Sequence, residues 1–231
     1  MQDKYVGDIG DFGKYALLRF LANGDVVLGI VWYRTTAEDK SQDGMLVQYL
    51  FSQKEAKSLG DCDAELFNTL RRLVESKDRR VVSIRERGIF PGSTVFYEEP
   101  LDFALVLPRA RPEARTTWCQ NSLKKVDQAQ LVFLDPDNGL ALNERKKYRK
   151  TGPKYVFLDE LRQYLSQGKS LIVYCHQDRR KGGLSEQVRE GIELLSKESP
   201  FHEAWAFTFH RKSVRIYFVV PCHKRMALLL A

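Results

Sequence analysis

The sequence has no apolar run approaching the roughly 20 residues that cross a bilayer. Residues 28–32 and 171–175 read instead as buried strands. The residues from Met1 to Asp8 carry no apolar secretory core. The cysteines Cys62, Cys119, Cys175 and Cys222 form no CxxC pair. Reduced thiols in a cytoplasmic protein without membrane association are therefore expected, not a disulfide framework. Internal repeats and low-complexity linkers are also missing, so residues 1–231 read as one domain.

What is present suits a folded domain. Of 231 residues, 43% are hydrophobic and 11% aromatic, enough for one sizeable core, which excludes a disordered or fibrous chain. Lys and Arg number 37 against 30 Asp and Glu, a formal charge of +7. That excess is compatible with nucleic acid as a partner without demanding it.

Periodicity predicts a helix over residues 11–21, capped by Asp8 and stopped at Asn23-Gly24, then a nearly continuous apolar strand over 26–33. Leu66, Phe67, Leu70, Leu73 and Val74 make one face of a helix over 64–76. Short strands are expected at 81–84 and 94–97, a helix over 111–126, a strand over 130–135 and a helix over 155–165. A buried strand over 170–176 and a helix over 185–197 follow. Strands over 202–209 and 214–220 are separated by a link too short for a crossover, so they form an antiparallel hairpin. Alternation of strands and helices predicts an α/β fold: a Rossmann-like three-layer sandwich whose mostly parallel seven-stranded sheet ends in that hairpin. Ligands bind at the carboxyl ends of such strands, so the loops after Tyr33, Ile84, Asp135 and His176 matter most.

The strongest local signal is the hydrophobic strand ending in Asp135-Pro136-Asp137-Asn138-Gly139. A rigid carboxylate there can accept a hydrogen bond from an amine, act as a general base or hold a cation. Its plainer reading is a strand that ends in a polar turn. Asp8, Asp11 and Lys14 lie on one polar arc of the first helix, where an ordinary i,i+3 ion pair is the competing account. Arg145, Lys146, Lys147, Arg149 and Lys150 form a basic run, joined by the loop residues Arg115, Arg179 and Lys181. Such residues grip phosphates if they converge in space, and otherwise form solvated loops. His176 stands at a strand end as a base or ligand, although a lone histidine there is more often structural.

Asp135-Pro136-Asp137-Asn138 matches the first two positions of the Asp/Asn-Pro-Pro-Tyr/Phe motif of class I S-adenosylmethionine-dependent methyltransferases, which the chain resembles in element order. Gly7, Asp11 and Lys14 align with the Gly-Asn-x-x-Asp-x-x-Lys-His segment of bacterial large-subunit ribosomal RNA adenine-N6 methyltransferases, with Tyr15 in place of His. The whole sequence also resembles a group of bacterial and phage proteins. The methyltransferase resemblance implies S-adenosylmethionine as cofactor and an amino group of nucleic acid as target. Asp135 would then accept a hydrogen bond from the amine, with Pro136 and Asn138 orienting it. Asp8, Asp11 and Lys14 would line the same cleft, and Tyr33, Asp43 and Glu86 would contact the cofactor. The sequence departs from the family at Asn138, where an aromatic is usual, and after the first strand, which lacks Gly-x-Gly. Two rival readings follow from the residues. One is a nuclease or phosphoesterase holding Mg²⁺ or Mn²⁺ on Asp135 and Asp137, with Asp11 or His176. The other is a non-catalytic nucleic-acid-binding or regulatory protein on the same scaffold.

Overall fold

The structure, a computed structural model, describes residues 2–22, 24–35, 44–224 and 226–227. Asn23 of the expected helix stop and the cofactor candidate Asp43 lie outside the described residues. The chain forms two compact units, Met1–Asp25 with Glu38–Ser93, and Val26–Ala37 with Thr94–Ala231.

The first unit is helical: α1 (Ile9–Leu21), α2 (Gln53–Gly60), α3 (Ala64–Glu75) and α4 (Val81–Glu86). Asp8 caps α1, its extended backbone letting the carboxylate accept the Gly10 N–H at 2.9 Å. Asp63 caps α3 in the same way through Leu66 N–H at 3.0 Å, while its other oxygen accepts Arg19 Nε at 2.7 Å. Phe12, Tyr49 and Phe67 then pack edge-on around one point, with ring centroids 6.0–6.3 Å apart. Residues 81–84, expected as a strand, are the start of α4. Val81 and Ile84 are both fully buried three residues apart, which is helical and not alternating spacing. The Asp3 carboxylate accepts the Val81 N–H at 2.9 Å and satisfies one of the donors the helix start leaves unpaired.

The second unit contains β1 (Leu28–Trp32), β2 (Val95–Tyr97), α5 (Arg111–Lys125), β3 (Leu131–Asp135), β4 (Gly139–Ala141), β5 (Tyr155–Phe157), α6 (Leu158–Ser166), β6 (Ser170–His176), α7 (Gly183–Ser196), β7 (Trp205–Arg211) and β8 (Ser213–Val220). Its sheet has six strands, not seven, in the order β2-β1-β3-β6-β8-β7. The first four are parallel, and the terminal hairpin enters with β8 antiparallel to β6. The seventh strand expected is the segment 81–84, which is helical in α4. The segment 155–165, expected as one helix, divides into β5 and α6, because Tyr155, Val156 and Phe157 pair in parallel with β4 in a separate two-stranded sheet.

Alternation sorts each strand between the two faces of the sheet. Val31, Val132, Leu134, Val173, Cys175, Ile216 and Phe218 join Trp118 and Leu123 of α5, Leu161 and Tyr164 of α6, and Leu195 of α7 in one core. Gly191 lets α7 approach that face closely, since a Cβ there would lie 2.2 Å from the Phe218 ring. Trp32, Asp135, Tyr174 and His176 fall on the opposite face by the same alternation.

Candidate functional site

After β1 the chain turns one way to β2, and later returns to the other side of β1 as β3. That reversal makes the gap between β1 and β3 the switch point of the sheet, where ligands of open parallel sheets bind at the carboxyl edge. Asp135 stands at this place, in register with Trp32 across the parallel ladder. Its side chain is only 3% exposed, and the Phe133 ring below it meets Trp32 edge-on at 6.2 Å. The loop beyond is held firmly. Pro136 is buried, Asn138 N–H donates to the Lys154 carbonyl at 2.8 Å, and the Asp137 carboxylate lies 3.8 Å from Lys154 Nζ. Gly139 (φ +99°) starts β4 against β6, where a Cβ would come within 2.7 Å of the Cys175 Cα. Leu140 N–H donates to Cys175 Sγ at 3.2 Å, and burial pushes that thiol's pKa up to about 12.

His176, at the end of β6, is half-buried; its Nε2 shares a hydrogen bond of 2.8 Å with the Tyr174 hydroxyl. Gln187 of α7 steadies the loop that follows. Its amide donates to the His176 carbonyl at 2.8 Å and accepts the Asp178 N–H at 2.9 Å. Sequence reasoning missed Gln187. The available signal was a polar residue in the inward stripe of α7, beside Leu184, Val188 and Leu195.

The cations divide. Arg115 is 1% exposed and does not face solvent. Its Nε and Nη2 donate to both oxygens of Glu160 at 2.5 and 3.0 Å, and Nη2 also donates to the Tyr155 carbonyl at 2.7 Å. Burial works against the charge, but the Glu160 carboxylate outweighs it and raises the guanidinium pKa. Lys147 is buried in the same cluster, bonded to Asp159 and 3.8 Å from Glu160. The same burial, with the Glu160 charge second, raises the Cys119 thiol pKa. Both cations therefore leave the expected nucleic-acid set, because their donors are committed to internal acceptors. Arg145, Lys146, Arg149, Lys150, Arg179 and Lys181 are exposed. Two of their segments adjoin: Leu142 and Glu144 line one hollow with Glu190, which pairs with Arg180, and hydrogen bonds from Arg180 hold the Asp178 carboxyl below the usual range.

The residues assigned to the cofactor are divided between the two units. Tyr33 is fully buried with its ring 4.7 Å from that of Trp118. Glu86, expected in the loop after a strand over 81–84, belongs to α4 and pairs with Arg80 at 3.4 Å. Asp43 lies outside the described residues. In the first unit, Asp8, Asp11 and Lys14 are buried and bonded locally. Asp8 also accepts the Leu46 N–H at 3.1 Å, and Asp11 holds Lys14 Nζ at 3.1 Å and the Tyr15 hydroxyl at 2.9 Å. Among the described residues, no three His, Cys, Asp or Glu side chains are grouped to hold a metal ion. No helix among them is long and apolar enough to cross a membrane.

Compared with known proteins, the chain matches no family model, no curated protein and no solved structure.

Proposed function

We propose that the protein binds nucleic acid through basic loops at the carboxyl edge of its six-stranded sheet, on a methyltransferase-like scaffold. The observation that carries this reading is that β4 packs on the end of β6 through Gly139 and Cys175, and that Leu142 and Glu144 line one hollow with Glu190, the partner of Arg180, so the segment leading to Arg145, Lys146, Arg149 and Lys150 adjoins the loop holding Arg179 and Lys181. Exposed guanidinium and ammonium groups on two loops of one edge suit successive phosphates, which they grip without reading sequence. Fluorescence polarisation with labelled duplex DNA and an RNA hairpin tests it. Affinity falls linearly with log salt, and K146E/R149E/K150E flattens the slope by about 1 per lost phosphate contact. Absence of binding at low salt, or a slope untouched by the triple variant, overturns the reading.

A second reading, methylation of an amino group in that nucleic acid, is favoured by Asp135-Pro136 at the switch point. In it the Asp135 carboxylate accepts a hydrogen bond from the target amine and holds it in place. Calorimetry with S-adenosylmethionine separates the two readings: heat of binding that a folded D135N retains, with methyl incorporation that it loses, supports methylation. No heat removes it. The metal-dependent reading rests on Asp135 and Asp137 alone, and Asp137 already faces the Lys154 ammonium.

A further inference from the structure

The loop that leaves the carboxyl end of β2 carries two leucines that stand out from the core, while Val106 between them packs against it. Leu105 is 99% exposed and Leu107 60% exposed, far beyond what a folded surface needs at adjacent bulky positions. Yet the tip is firmly anchored. Phe103 is fully buried at its base, and Asp102 accepts the Ala104 N–H at 2.8 Å in a tight turn. Arg111, itself buried, lies over the Phe103 ring at 5.8 Å and donates from Nε to the Val106 carbonyl at 3.0 Å. The same guanidinium donates from Nη1 to the Tyr148 carbonyl at 3.1 Å. One arginine thus ties the apolar tip to the middle of the basic run, between Lys147 and Arg149.

We propose that residues 104–107 form a wedge that enters between base steps and unstacks the nucleic acid held by the adjacent cations. This deepens the nucleic-acid reading and rests on it. The charge around the tip selects the occupant. Arg109 beside it, and Arg145, Lys146, Arg149 and Lys150 on the loop that Arg111 clamps to it, suit a polyanion with apolar interior faces, which is a stacked duplex. Leucine side chains are among those that wedge into base steps, and an anchored backbone lets the strain of unstacking fall on the duplex and not on the loop.

The experiment uses the full chain and duplexes, RNA and DNA, carrying 2-aminopurine, whose fluorescence rises on unstacking. Wild-type protein raises the emission several-fold on binding. The double variant L105A/L107A, which removes exposed side chains only, binds with an unchanged salt slope and gives no rise. Binding by the wild type without a rise, or a rise that survives in the double variant, overturns the wedge and leaves the basic-loop reading standing. Failure of the wild type to bind either duplex overturns both. Binding to phosphatidylserine vesicles but to neither duplex, lost in the double variant, assigns the tip to a lipid surface and likewise overturns the proposal.

Discussion

Lys146 and Lys147 are neighbours in one basic run, and the fold uses them in opposite ways. Lys147 is buried with Arg115 against Asp159 and Glu160, whereas Lys146 remains exposed, its ammonium 5.1 Å from the centre of the Tyr155 ring. In the buried cluster the cations satisfy carboxylates and carbonyls that would otherwise be stranded. On the edge they leave donors for a partner. A charge run is therefore not one functional unit, and sequence spacing alone cannot divide it.

The sharpest way to break the comparison is to remove the buried partner. R115M strips Glu160 of both guanidinium hydrogen bonds, leaving Lys147 at 3.8 Å as its counter-charge, and costs about 3–5 kcal/mol, read as a lower urea midpoint, whereas R115M/E160M recovers most of it. Next is the joint between core and edge. G139A adds a Cβ against the Cys175 backbone at positive φ and costs about 1–3 kcal/mol. Third, the buried Cys175 thiol makes the core alkali-sensitive. Its folded pKa is raised, so its contribution to stability is complete below the ordinary thiol pKa and is lost as pH rises toward about 12. Wild type therefore loses about 1.4 kcal/mol per pH unit above that ordinary value relative to C175A, measured by urea denaturation across the alkaline range. The smallest effect on stability belongs to the edge: K146A, R149A and K150A each stay within about 0.5 kcal/mol of wild type while lowering the salt dependence of binding.

How far the sequence could be read follows the same division. Residues 170–176 are legible as β6 because an unbroken apolar run bounded by polar residues has few other homes. The hairpin of β7 and β8 is legible because its link is too short for a crossover. Residues 81–84 mislead because Val81, Val82 and Ile84 are β-branched, yet their burial is set by helical packing, a case of tertiary context overriding propensity. β4 is too short to leave a pattern, so its partner β5 is absorbed into the helix that follows. Of the candidate site, Asp135 at a strand tip was legible from the run before it. The burial of Arg115 and Lys147 was not, because it depends on Glu160, far away in sequence and brought near only by the fold.

The position of β8 has a consequence for biosynthesis. Because Ser213–Val220 lies between β6 and β7, strands made earlier cannot complete their ladder until that segment has emerged from the ribosome. A nascent chain ending before it presents β6 as a bare, strongly apolar edge that invites intermolecular pairing. Chaperone demand during synthesis should therefore peak after residue 176 and fall once residue 220 is free.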